Sequence, residues 1–178
     1  MTRTQLVDQL VIRSTGKTAN NGTVQVNHVT FPCVIGKGGI GVKSREGDGI
    51  TPVGCWKMAY FLYRPDRIQK IHSLLSGFAI RPSDSWCDLV TSRHYNRPLA
   101  ETLPSSSEAL WRQDSLYDIV IVLDHNTRPA ISGRGSAIFI HLSGSNSPYT
   151  QGCIALDRPD LLKILYSCGP QTKVQINS

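Results

Sequence analysis

Residues 138–162 read IFIHLSGSNSPYTQGCIALDRPDLL, and the interpretation of the chain turns on this stretch. Ala137, Ile138, Phe139 and Ile140 have the apolar, branched and aromatic make-up of a strand, which delivers His141 at or near its end. The small and polar residues of 142–152 then give the chain room to turn and bring Gly152 and Cys153 back beside the histidine. Such a pair has an obvious chemistry. A thiol of pKa about 8.5 is mostly protonated at neutral pH, and an adjacent imidazole can take its proton and release the attacking thiolate. Gly152 allows close backbone approach, and amides around the cysteine can stabilise an oxyanion. Spacing alone leaves other readings open. Free cysteine is among the most buried residue types, and a strand-end histidine is often only a hydrogen-bonded structural residue. Two metal ligands are a weaker alternative, because the second close ligand pair usual in zinc sites is missing.

Outward from this stretch, the C-terminal side reads as a helix. Asp157 stands at the N-cap, Pro159 in the first turn, and Asp160 where the helix dipole favours it. Leu161, Leu162, Ile164 and Leu165 supply an apolar face, and Gly169-Pro170 ends the segment. Elsewhere in the chain short apolar runs dominate: QLVIRS (9–14), TVQVNHVTFPCVIG (23–36), CWKMAYFLY (55–63), YDIVIVLDHN (117–126) and KVQIN (173–177). All read as strands, so the fold class is mainly β, with antiparallel sheets and one or two short helices. Asn20-Asn21-Gly22 carries an Asn-Gly hairpin signal between the first two runs, so an antiparallel start is expected. Residues 65–109 are long, irregular and rich in Pro, Ser, Arg and aromatics, which suggests a functional surface. With no repeat and no convincing linker, residues 1–178 are expected to form one domain.

Composition narrows the function. The 19 Lys and Arg exceed the 13 Asp and Glu, for a net charge of +6, but the basic residues are dispersed. That argues against nucleic-acid binding and leaves a small polycarboxylate or simple solubility to explain the charge. The N-terminus has Asp8 and polar residues where a secretory segment needs an apolar run, and nothing approaches the about 18 apolar residues of a membrane span. A cytoplasmic location is the expectation, periplasmic if a leader has been removed, with no membrane partner. The five cysteines, Cys33, Cys55, Cys87, Cys153 and Cys168, are scattered without a C-x-x-C, against both a disulfide framework and a zinc knuckle. No metal and no cofactor are expected.

Two motifs then carry a resemblance. His141 followed by Tyr149-Thr150-Gln151-Gly152-Cys153-Ile154-Ala155-Leu156 resembles the active-site signature of the L,D-transpeptidase (YkuD-like) catalytic domain. Glu46-Gly47-Asp48-Gly49-Ile50-Thr51-Pro52-Val53-Gly54 resembles the Gly-x-x-Thr-Pro-x-Gly segment near the start of that fold. Their order and separation match over about residues 30–165. The resemblance implies Cys153 as nucleophile and His141 as its base, with the imidazole oriented by a nearby backbone carbonyl, that of Leu142 or Ser143. It implies attack on the carbonyl of meso-diaminopimelate in a peptidoglycan stem tetrapeptide, release of the terminal D-Ala, and a thioester resolved by water or an amine. The chain departs from the common pattern at two positions, Gln151 before the Gly-Cys pair and Ala155 two residues after the cysteine. Arg134 to His141, Trp86-Cys87-Asp88 and Tyr95-Asn96-Arg97-Pro98 resemble a distinct branch of the family.

A stem peptide brings carboxylates and an ammonium, so its site should offer a guanidinium fork and a carboxylate. Arg134, Arg45 and Arg97 are candidate forks, and Asp48 and Asp88 candidate ammonium partners. Trp86, Tyr95, Asn96 and Gln151 are further candidates for the cleft, although aromatics in a strand-rich chain are more often core. Thr51-Pro52 reads as a structural turn, and His125-Asn126 sits at a strand end that could approach His141, or forms a turn. Three functions follow. The first is an L,D-carboxypeptidase acting on tetrapeptides during wall recycling, the second an L,D-transpeptidase forming cross-links or exchanging D-amino acids, and the third a non-catalytic muropeptide-binding module. A papain-like protease fits less well, since its cysteine precedes its histidine.

Overall fold

Alternation builds the strands. In β1 (Gln9–Ser14) the side chains of Leu10 and Ile12 are fully buried while their neighbours face outward, as period-two geometry requires. The computed structural model describes residues 6–16, 20–102, 107–144 and 147–178. After β1 come β2 (Asn21–Val26), β3 (Val29–Val34), β4 (Ile40–Gly41), β5 (Thr51–Pro52), β6 (Gly54–Tyr63) and β7 (Gly77–Ala79). There follow β8 (Ser85–Cys87), β9 (Pro98–Leu99), β10 (Ser107–Ala109), β11 (Ile119–Leu123), β12 (Phe139–Leu142) and β13 (Ile154–Leu156). The single helix among the described residues, α1 (Arg158–Ser167), precedes β14 (Lys173–Asn177).

The main sheet runs β11-β12-β13-β3-β2-β1-β14-β6-β7, and a further pairing of β11 with β6 closes it into a barrel-like ring. The fold is mainly β, as expected. Its pairing is mixed: β1–β14, β12–β13, β6–β7 and β4–β5 are parallel. Inward residues of the ring, among them Leu10, Val24, Ile121, Ile140, Ile154 and Val174, form one core into which α1 lays Leu161, Ile164 and Leu165. Val120, Val122 and Phe139 face the other way, against Trp86, Leu110 and Tyr117. That second face is covered by a small sheet, β10-β8-β9, drawn from the segment with no regular pattern in the sequence.

Two local expectations change. β1 and β2 pair antiparallel, as the Asn-Gly signal implies, but Asn21 and Gly22 are not the turn between them. They lie inside β2, with Gly22 opposite Ser14, because β1 passes so close that a Cβ there would sit 2.8 Å from the Arg13 carbonyl oxygen. The tight turn falls instead between β2 and β3, where Val26 pairs with Val29 and Asn27 takes a left-handed φ of 52°. Helix α1 forms as expected after Asp157, but that carboxylate makes no cap bond and accepts from the Ser143 hydroxyl.

Candidate active site

The parallel pairing of β12 with β13 sets His141 opposite Ala155. Parallel neighbours cannot be joined by a tight turn, and β13 accordingly begins only at Ile154, well after β12 ends at Leu142. Period-two alternation then gives Cys153 the same face as Ala155, while Ile154 and Leu156 go to the core. His141, Cys153 and Ala155 accordingly line one cavity of about 620 Å³.

Thr51 explains why the two sequence motifs occur together. Its side chain is fully buried; the hydroxyl donates to the Gly152 carbonyl at 2.9 Å and accepts from the Gly36 amide at 2.9 Å. Gly152, at φ 129°, lies so close to Ile50 that a Cβ would meet its carbonyl oxygen at 2.8 Å. Thr150 completes the turn, donating to the Cys153 carbonyl at 2.6 Å and accepting from the Gly152 amide at 3.1 Å. The loop that carries the cysteine is therefore pinned to β5 through a glycine that no larger residue can replace.

His141 Nδ1 lies 2.8 Å from the Leu142 carbonyl oxygen. A carbonyl only accepts, so Nδ1 carries the hydrogen and Nε2 keeps its lone pair. Burial pushes the imidazole pKa down to about 4. The ring is neutral at pH 7, and the Tyr117 ring meets it edge to face at 5.2 Å. Cys153 is pushed the other way, to about 12, first by burial and then by the negative Glu108, against the pull of the Phe139 amide and Lys43. Its Sγ donates to the Ala137 carbonyl at 3.0 Å and accepts from the Phe139 amide at 3.4 Å. The resting site thus holds a neutral thiol and a neutral imidazole facing the same cavity.

Residues 11–176 match the model of the L,D-transpeptidase catalytic domain, YkuD. The chain belongs to the YkuD family. The match spans nearly the whole chain and supports L,D-transpeptidase-type catalysis on peptidoglycan peptides. No curated protein matches it.

Within this YkuD domain the candidates part company. Gln151 lines the cavity, as does Asp88, whose carboxyl is pushed up by burial and by Glu46. Gly152 does not line it; its amide is committed to Thr150, so it serves backbone approach and not oxyanion binding. Leu142 contributes its carbonyl while its side chain lies in the core. The three arginine forks are misplaced. Arg45, Arg97 and Arg134 are exposed and none of them lines the cavity; each sits in a turn or hairpin held by its own backbone: Arg45 to Asp48, Arg134 to Ile131, Arg97 to Cys87. Asp48 is not free for an ammonium either. Burial opposes its charge, but Lys43 at 2.7 Å and the amides of Ile50, Ser44 and Arg45 outweigh that and hold it at about 2.

Trp86 is core, edge-on to Phe139 at 5.1 Å, with its indole N–H on Asn96. Tyr95 is buried and donates to Glu46, and Asn96 is a buried bracket 3% exposed. None of the three lines the cavity. His125 lies beyond the end of β11 away from Val120, the partner of His141, so the antiparallel register separates the two histidines. It packs edge-on against Trp56 at 4.8 Å instead.

Among the described residues the cavity's cations are Lys43 and Arg112, and its carboxylates Glu46, Asp88 and Glu108. Arg112 lies over the Tyr117 ring at 5.2 Å and is paired with Asp114 at 2.6 Å. Glu108 accepts from the Tyr117 hydroxyl, and burial pushes its carboxyl up. Sequence spacing held no signal for Glu108, Arg112 or Tyr117. They reach the site through the small sheet and the approach to β11, whose packing is non-local.

Proposed function

We propose that this YkuD domain is an L,D-carboxypeptidase that cleaves the terminal D-Ala from meso-diaminopimelate in peptidoglycan stem tetrapeptides, with water as acceptor and wall recycling as its setting. The observation that carries the reading is the thiol of Cys153 and the neutral imidazole of His141 opening on one cavity, with Nδ1 committed to Leu142. Nε2 of His141 takes the thiol proton as sulfur attacks the diaminopimelate carbonyl. The tetrahedral adduct collapses, the imidazolium returns that proton to the departing D-Ala nitrogen, and a thioester remains. Water, losing a proton to the same Nε2, attacks the thioester. Its collapse frees the tripeptide acid and restores the thiol.

The carboxylates of Glu108, Asp88 and Glu46 suit the ammonium of the diaminopimelate D-centre, and Arg112 suits its carboxylate. Ala155, beside His141 on the next strand, offers no polar group to hold a second peptide, which favours water.

The test is a mass-resolved assay of a disaccharide tetrapeptide with and without added D-amino acid. Tripeptide plus D-Ala, abolished in Cys153→Ala, is the expected outcome. Dimer or D-amino-acid exchange would assign transpeptidation instead, and binding without turnover in the native protein would make the domain a muropeptide-binding module.

A further inference from the structure

We infer that Asn96 is a positioning residue for the Cys153 thiol, acting through the peptide of Ala137; the inference rests on the assignment of Cys153 as nucleophile. Asn96 touches neither the cavity nor the sulfur. Its carboxamide uses all four of its hydrogen-bonding positions. Oδ1 accepts from Trp86 Nε1 at 3.0 Å and from the Ala137 amide at 3.0 Å. Nδ2 donates to the carbonyls of His125 at 3.0 Å and Asn126 at 2.7 Å. One side chain thereby ties β8, the turn after β11 and the entry to β12 into a single bracket.

What the bracket holds is strained. Ala137 has a φ of 50°, a left-handed conformation that costs a non-glycine residue about 1–2 kcal/mol. It persists because both ends of the residue are fastened: its N–H to Asn96 and its carbonyl to the thiol of Cys153 at 3.0 Å. Two residues on, the Phe139 amide donates to the same sulfur at 3.4 Å. Asn126, itself at φ 50°, fastens the loop before Ala137 by donating to the carbonyls of Ile131 and Gly135 at 3.0 and 2.9 Å. Two asparagine amides therefore fix the segment that the sulfur rests on, and Asn96 is the one bonded to the residue in contact with it.

The chemistry requires a carboxamide. At position 96 an aspartate keeps the acceptor for Trp86 and Ala137 but turns a charged oxygen toward two carbonyls. Protonated, it regains a donor and nearly the native shape. The titratable groups near position 96 are His125, kept neutral by burial, and the Tyr95–Glu46 pair. Those facing the thiol are His141, Glu108, Lys43 and Tyr117.

Asn96→Asp should lower kcat about 100-fold at pH 8, the cost of misplacing a reacting group by about 1 Å, with KM within twofold. Activity should recover as the pH falls and the new carboxyl protonates. Iodoacetamide alkylation of Cys153, followed by peptide mapping, should show a pH curve displaced from the native one. Trp86→Phe, which removes a single bond to Oδ1, should displace both measurements in the same direction by less. A native pH curve for alkylation in either folded variant, or a change in KM alone, would overturn the inference. If Asn96→Asp does not fold, Trp86→Phe decides. If the native protein turns over no stem peptide, the substrate assignment fails, while alkylation, which needs no substrate, still tests Asn96.

Discussion

Lowering the pH from 7 to 5 is a perturbation to which His141 must respond. Its imidazole has a pKa of about 4 in the folded protein against about 6.5 in an unfolded chain. Between those values the unfolded chain binds the extra proton, so the stability gained by burying a neutral ring is full above about 6.5 and is lost as pH falls toward 4. From pH 7 to 5 the loss is about 2 kcal/mol, at 1.36 kcal/mol per unit of pKa difference. Other groups titrate too. Burial also lowers His125, while Asp48, held at about 2, gives up its contribution only as the pH falls below about 4. Urea unfolding of the native protein and His141→Gln across this range separates them, because the difference between the two pH slopes belongs to His141. At saturating tetrapeptide, where the bound ammonium keeps Glu108 and Asp88 ionised, kcat for tripeptide release should stay level down to about pH 4. Parallel stability curves, or an acid limb of activity near 6.5, would refute the buried neutral base.

Thr51→Val keeps the shape of a fully buried side chain but deprives the Gly36 amide and the Gly152 carbonyl of their partner. At about 1–3 kcal/mol for each orphaned group, the variant should lose about 3 kcal/mol in chemical denaturation, and kcat should fall as the cysteine loop loosens. Glu108→Gln should have opposite effects in two assays. KM for the tetrapeptide should rise about tenfold, the equivalent of 1.4 kcal/mol, while iodoacetamide alkylation of Cys153 at fixed pH should accelerate, because the charge that raises the thiol pKa is gone. Slower alkylation would show that Glu108 acts on the site by another route.

β1 and β14 were legible because each buries one face: QLVIRS and KVQIN alternate in sequence as they do in the fold. Helix α1 was legible from Asp157, Pro159 and its leucines. Most of the strand pairing was not. The Asn21-Gly22 signal announced the antiparallel pairing of β1 with β2 but not the place of the turn, because the glycine answers to the approach of Arg13 on β1. The turn that does form, at Asn27, relies on the tolerance of asparagine for a left-handed φ, without a following glycine to announce it.

The site divides along the same line. His141 and Cys153 could be paired on paper because one loop joins them, and the Leu142 carbonyl because it is adjacent in the chain. Charge in a sequence carries no direction, however. Arg45, Arg97 and Arg134 are held outward by their own turns, whereas Arg112 is drawn over the Tyr117 ring into the cavity. Asp48 and Glu108 are both carboxylates close to basic residues in sequence. One is spent on Lys43; the other is buried against a tyrosine hydroxyl and raises the pKa of the nucleophile. Only the packing of β10 and β8 over the face of β12 distinguishes them, so the carboxylate that tunes the thiol is chosen by tertiary packing and not by its neighbours in the chain.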